Sequence, residues 1–154
     1  MATEIERIRK LFQRNWEGPM WYGGRLMDKF KDLSWEQAYK KPANFSHNIY
    51  EYVRHMHCWR VFVLEQLRGH QDYRVELNSE EDWITQYEPT EVNWLKALAD
   101  LEQSQKDLDE ALAGFDDGRL EETVPGRNFK WYAMLHGVIH HDIYHSAQIG
   151  LLLK

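Results

Sequence analysis

A single cysteine, Cys58, stands in the 154 residues, so no internal disulfide can form and stability must come from an apolar core. A reducing, cytoplasmic setting is the corresponding expectation. Proline and glycine are scarce, at four and nine, which disfavours an all-β fold with its turn every few residues and suits long helices. Basic side chains are outnumbered 19 to 25, for a net charge of -6, and are gathered into no stripe that would neutralise phosphates. Nucleic acid is therefore not expected as a partner. No apolar run approaches a membrane span, and the opening MATEIERIRK lacks the hydrophobic segment of a signal peptide. Neither a membrane nor export is expected.

What the chain has in plenty is rings. Aromatic residues make up 14%, with seven Trp and eight Tyr, and eight histidines join them. The length fits one domain, 1–154, able to bury well over half of its unfolded surface. Hydrophobic periodicity predicts an all-α fold, a bundle of four long helices. The first opens on a capping box of Thr3 and Glu6, carries a stripe of Ile5, Ile8, Leu11 and Phe12, and ends at Gly18. A connector from Pro19 to Ala43 holds short extra helices, around Leu26 to Phe30 and from Ser34 to Tyr39, the latter opened by Ser34 and Gln37. The second long helix runs from Ser46 or His47 to Leu67, closed by Gly69. A polar loop from His70 to Pro89 follows, with a short extended piece at Tyr73 to Leu77. The third, Thr90 to Gly114, presents Trp94, Leu98, Leu101, Gln105, Leu108 and Leu112 at alternating spacings of four and three, the seam of a bundle. The fourth runs from Phe129 to Leu153. Loops of this length leave the connectivity open.

Continued along the fourth helix, the same spacing selects Met134, Val138, His141, His145, Gln148 and Leu152. Two histidines and a glutamine thus occupy places where a bundle wants aliphatic side chains. Residues four apart on a helix differ by about 40° and about 6 Å, so His141 and His145 can bring one nitrogen each to a single point. On the second helix the seam Asn48, Tyr52, His55, Trp59, Phe62 turns His55 inward, while His57, about 200° away, faces out. His55 is the natural third ligand. A lone inward histidine is more often a satisfied core residue, but three unpaired imidazoles on two facing helices would be costly to bury, and one metal ion satisfies them all.

Carboxylate-bridged di-iron chemistry needs inward Glu-x-x-His pairs, and Glu51 stands at the wrong spacing from His55. A His-only triad favours Zn, Ni, Fe(II) or Co and leaves coordination positions open. Tyr52, Trp59 and Phe62 share the face of His55 and would line a partly apolar substrate pocket, with Gln148 one turn beyond His145 placed to touch a bound ligand. Cys58 reads as packed among aromatics, and Asp142 as a solvated helix carboxylate. Arg54, Arg60 and Lys130 are candidates for the pocket mouth. His136 and His140 share the four-residue spacing but lie on the flank of the helix.

The closing stretch HGVIHHDIYHSAQIGLLLK resembles the final motif of the DinB/YfiT-like metal-binding bundles, approximately H-G-x-x-x-H-D-x-Y-H-x-x-Q-I. FSHNIYEYVRHMHCW is similar to that family's H-S-I-W-E-x-x-x-H-x-x-x-W element, with Asn48 for the usual serine and Tyr50 for the usual tryptophan, and WYGGRLMDKFKDLSWEQAYKKP to its first connector. The resemblance implies an up-down-down-up bundle, often a homodimer, with His55, His141 and His145 as ligands and His47 outside the ligand set. It also implies thiol chemistry. Characterised relatives resemble transferases and isomerases that use low-molecular-weight thiols such as bacillithiol or mycothiol, where a metal at an open position favours the thiolate. Two functional classes stand after this reading. One is a metal-dependent thiol S-transferase or related hydrolase acting on a small molecule. The other is a non-catalytic metal-binding stress protein or ligand-binding module.

Overall fold

The computed structural model describes residues 2–154. Four long helices form: α1 (Glu4–Glu17), α3 (Ile49–Leu67), α4 (Glu91–Ala113) and α5 (Trp131–Leu152), with the short α2 (Trp35–Tyr39) and a 3-10 turn (Met27–Lys29) in the first connector. Their starts are written in capping residues. Thr3 and Glu6 close a reciprocal box on α1, Ser34 and Gln37 another on α2, and Thr90 accepts from the Asn93 N–H on α4. α3 begins at Ile49, two or three residues later than periodicity suggests, because Asn48 is its cap and accepts from the Glu51 N–H. Gly69, at φ 86, terminates α3 in the left-handed region that glycine tolerates.

Contacts between helices give their directions. Along α3 and α4 the partners rise together, from Arg54 with Asp100 to Arg68 with Asp107, so these helices are parallel. Between α3 and α5 they run oppositely: Phe62 faces Met134, His55 meets His141, and Tyr52 meets His145. α1 runs against α4, with Arg9 and Gln13 on Asp109 and the Ile5 N–H on Asp117, and lies parallel to α5, with Glu4 near His136 and Asn15 near Ser146. The bundle is up-down-down-up. No helix among the described residues is long and apolar enough to cross a membrane.

The core divides into two clusters. One, around Ile8, Phe12, Phe62, Leu108, Trp131 and Leu135, fills the end where α5 begins; the other, around Tyr50, Val53, Met56, Trp94, Leu101 and Ile149, fills the opposite end. Three sequence expectations are corrected. Leu11 is exposed, and the buried stripe of α1 runs Ile5, Ile8, Phe12, Asn15, the phase of a straight 3.6-residue helix. The segment Tyr73 to Leu77 pairs with no strand, the two β-bridges among the described residues lying elsewhere. Asp142 is not solvated but completely buried.

Arg60 is its partner. The guanidinium, 1% exposed, donates from Nε and one terminal nitrogen to Asp142 Oδ2 at 3.0 and 2.7 Å. Its other terminal nitrogen reaches the Leu101 carbonyl and Ser104 Oγ, each at 3.4 Å, and its plane lies over the rings of Phe12 and Trp16 at 5.3 and 4.9 Å. One side chain therefore touches all four long helices. Asp142→Ala should cost about 3–5 kcal/mol, because it strands a buried cation. The double variant Arg60→Met/Asp142→Leu should recover most of that loss. Urea denaturation measures both, and a loss below about 1 kcal/mol for the single variant would show the pair to be incidental.

Candidate metal centre

His55 on α3 and His141 and His145 on α5 each offer a nitrogen, and these ligand atoms lie within 4.8 Å of one another. Helical facing brings them there. His141 and His145 are one turn apart on α5, and the antiparallel α3 presents His55 opposite both. Nε2 of His55 and Nε2 of His141 are 3.0 Å apart. Two nitrogens bound at 2.0–2.1 Å to one ion would be separated by about 2.9 Å at a right angle and about 3.4 Å at the tetrahedral angle.

The outer nitrogens decide which atoms face this point. His55 Nδ1 lies 2.9 Å from both the Asp82 carbonyl oxygen and Asp82 Oδ1. Both only accept, so Nδ1 carries the proton and Nε2 presents its lone pair. Similarly, His145 Nδ1 donates to Gln148 Oε1 at 2.6 Å. These are the outer partners that fix tautomer and ring orientation in metal-ligating histidines. His141 Nδ1 is buried and has no partner among the described residues. A hydrogen bond between the His141 and His55 Nε2 atoms would leave that nitrogen and the His145 Nε2 unanswered.

Protonation is a poor substitute for a metal here. Burial first, then the neighbouring imidazoles, push His141 down to about 3 and His145 to about 4, and burial lowers His55 as well. The three rings are thus neutral, convergent and short of a cation, so the donor set fits a divalent transition metal.

Asp82 and Trp83 are the residues that sequence reasoning missed. After Gly69 the loop runs back along α3, with Tyr73 beside Gln66, Asp82 beside Trp59 and His55, and Tyr87 beside Glu51 and Asn48. Asp82 is 3% exposed; its Oδ1 also accepts from Trp59 Nε1 at 2.8 Å and its Oδ2 from the Asn78 N–H at 2.8 Å. The Trp83 ring stacks on His55 at 3.7 Å and on His47 at 3.6 Å, lying between them. No periodicity marks loop residues; the available signal was large aromatics, Tyr73, Trp83 and Tyr87, in an otherwise polar stretch.

The remaining candidates separate. Trp59 and Phe62 line a cleft of about 270 Å³ that ends on His141, together with Val63 from α3 and Phe129, Ala133, Met134, Gly137 and Val138 from the other side. Tyr52 packs on the far side of the triad, against His145 and Trp83. Gln148 orients His145. The basic candidates are committed elsewhere: Arg60 to Asp142, Arg54 to Asp100, Lys130 to Glu121. His57 and Cys58 line a different cavity with Tyr73 and Ile84, and burial pushes the Cys58 thiol up to about 12. His136 and His140 line the α1–α5 surface, away from the triad.

His141→Ala and His145→Ala should each strip most of the bound metal from the purified protein, whereas His57→Ala should leave it unchanged. Elemental analysis of the three variants decides, and equal metal in all of them would remove the triad from consideration.

Comparison with curated proteins returned no match, and comparison with solved structures returned none either. The family model described as DinB superfamily matches residues 23–149, a span that holds most of the connector, α3, its covering loop and all three histidines. The chain belongs to the DinB superfamily.

Proposed function

We propose that the protein is a metal-dependent thiol S-transferase, joining a low-molecular-weight thiol to a hydrophobic electrophile at His55, His141 and His145. The observation that carries this reading is the apolar cleft that ends on His141: a ligand seated between the Trp59 and Phe62 wall of α3 and the Ala133 and Gly137 wall of α5 has its end at the triad. A divalent ion held by the three neutral imidazoles keeps its full charge and supplies Lewis acidity that favours the ionised form of a nucleophile near pH 7.

The chain's own residues position and exclude. Asp82 and Gln148 hold two of the imidazoles in the tautomer that directs Nε2 inward. Trp83 covers His55 from the loop side and removes water from that face. The aromatic and aliphatic walls of the cleft bind the electrophile by burial rather than by charge. Asp82 is fully engaged by Trp59, His55 and Asn78, so its carboxylate is not free to act as a general base. Cys58 lines another cavity, and burial raises its thiol, so it is not placed to act as the nucleophile. The sulfur must therefore come from solution.

Incubation of metal-loaded protein with bacillithiol, or glutathione as a surrogate, and a chlorobimane should give conjugation that needs both metal and thiol. His55→Ala should abolish it with the fold intact. Conjugation no faster than in the metal-free control, across several thiols and metals, would leave a non-catalytic metal-binding protein as the better description. Chelation should lower the Tm by mass action while retaining helical circular dichroism at room temperature, because the two apolar clusters lie outside the triad. Loss of the helical signal on chelation would show that the metal is needed to fold the bundle.

A further inference from the structure

Gly137 lies in the second turn of α5, well inside a 22-residue helix, where glycine is the poorest choice after proline. Neither usual reason for glycine applies. The positive-φ glycines are Gly18, Gly69 and Gly126, so Gly137 has an ordinary backbone, and a Cβ built on it meets nothing within 4 Å. A Cβ at this position therefore fits both the helix and the packing. What a side chain would take is the cleft.

The cleft follows α5 from Phe129 to His141. Ala133 and Gly137, one turn apart, form its small-residue wall, and Trp59, Phe62 and Val63 stand opposite on α3. Among the described residues no charged side chain lines it, and the indole N–H of Trp59 is already given to Asp82. A charged group placed there would lose its hydration, and the nearby cation, Arg127, lies over the Phe62 ring and already donates to the Tyr73 carbonyl. A flat aromatic group, by contrast, finds the Trp59 and Phe62 rings, which meet each other edge to face at 5.4 Å, and an aliphatic wall. At about 270 Å³ the cleft is just below the usual range for ligand sites, which runs from roughly 300 to 1,000 Å³.

We infer that Gly137 is a specificity-determining residue whose missing side chain leaves room for the neutral aromatic group of a small-molecule substrate, with its reactive end at His141. The location of the reactive end rests on the triad being the metal centre; the binding of the aromatic group does not. Gly137 exchanges helix stability for an open cleft, the trade expected of a binding position.

The test is isothermal titration calorimetry of 1-naphthol and its anionic counterpart 1-naphthoate into metal-loaded and metal-free protein. Wild type should bind 1-naphthol saturably in both forms and prefer it to 1-naphthoate by about tenfold or more. Gly137→Leu should weaken 1-naphthol by about tenfold or more, with bound metal, oligomeric state and helical content unchanged. Gly137→Ala is the milder variant should leucine disturb the fold. It should raise the Tm by roughly 2–4 °C and still weaken 1-naphthol measurably. Absence of saturable binding to wild type, or wild-type affinity in the leucine variant, overturns the inference. So does a leucine variant that changes oligomeric state at unchanged naphthol affinity, which would make the cleft a contact between copies. Wild type that binds 1-naphthol with the expected preference but carries no metal strikes the metal-centre reading and leaves Gly137 in its role.

Discussion

The buried fork between Arg60 and Asp142 is the constraint on which the other distances depend. Apolar seams tolerate a slip or rotation of one helix against another at modest cost, because one aliphatic contact replaces another. A guanidinium bonded through two nitrogens to one carboxylate does not, since any slip strands two buried charges. Asp142 is the residue after His141, and Arg60 lies five residues past His55 on the facing helix. Fixing that pair fixes the rotation of α5 about its axis, and with it the inward aim of His141 and His145. The net stabilisation from such a pair is small once desolvation is counted, so its effect here is on register more than on stability.

The triad occupies a gap between two apolar clusters. Phe62, Trp131 and Leu135 fill one side and Met56, Trp94 and Ile149 the other, and each cluster draws on α3, α4 and α5. A bundle continuous through this point would carry aliphatic residues at positions 55, 141 and 145. Two of the three polar groups placed there have their outer nitrogens answered, His55 by Asp82 and His145 by Gln148, and only His141 Nδ1 is left without a partner among the described residues. The conflict between bundle patterning and three inward imidazoles is local, which is how functional sites depart from an otherwise consistent fold.

That conflict is why so much was legible in the sequence. The capping boxes at Thr3 and Ser34, the glycine at 69 and the four-three spacing of α4 and α5 are local signals, and local signals survive in a single sequence. His55, His141 and His145 stood out because each broke a hydrophobic period. What was not legible came from contacts without a period. Asp82 and Trp83 reach the site from an irregular loop whose path is set by where Tyr73 and Tyr87 dock on α3. Asp142 looked solvated because a carboxylate on a helix usually is. Its burial depends on Arg60, 82 residues earlier, and on the faces of Phe12 and Trp16, which no spacing rule connects. The up-down-down-up order came from resemblance alone, since long loops leave helix direction free.

The two sides of the triad differ in how far their groups are already committed to one another. On the loop side, Asp82 bonds His55, Trp83 stacks on it, and Tyr52 packs against His145, so that side is built of groups already committed to one another. On the other side, the wall from Phe129 to Val138 brings no polar side chain to the cleft and contains a helix glycine with open space above it. Rigid support on one side and vacancy on the other is the division expected of a centre that holds its ligands firmly while admitting a substrate. His141 belongs to both sides: its Nε2 faces His55, its ring ends the cleft, and its Nδ1 lacks the outer partner that His55 and His145 each have. Of the three imidazoles it is therefore the least constrained, and it is the one whose ring lines the cleft.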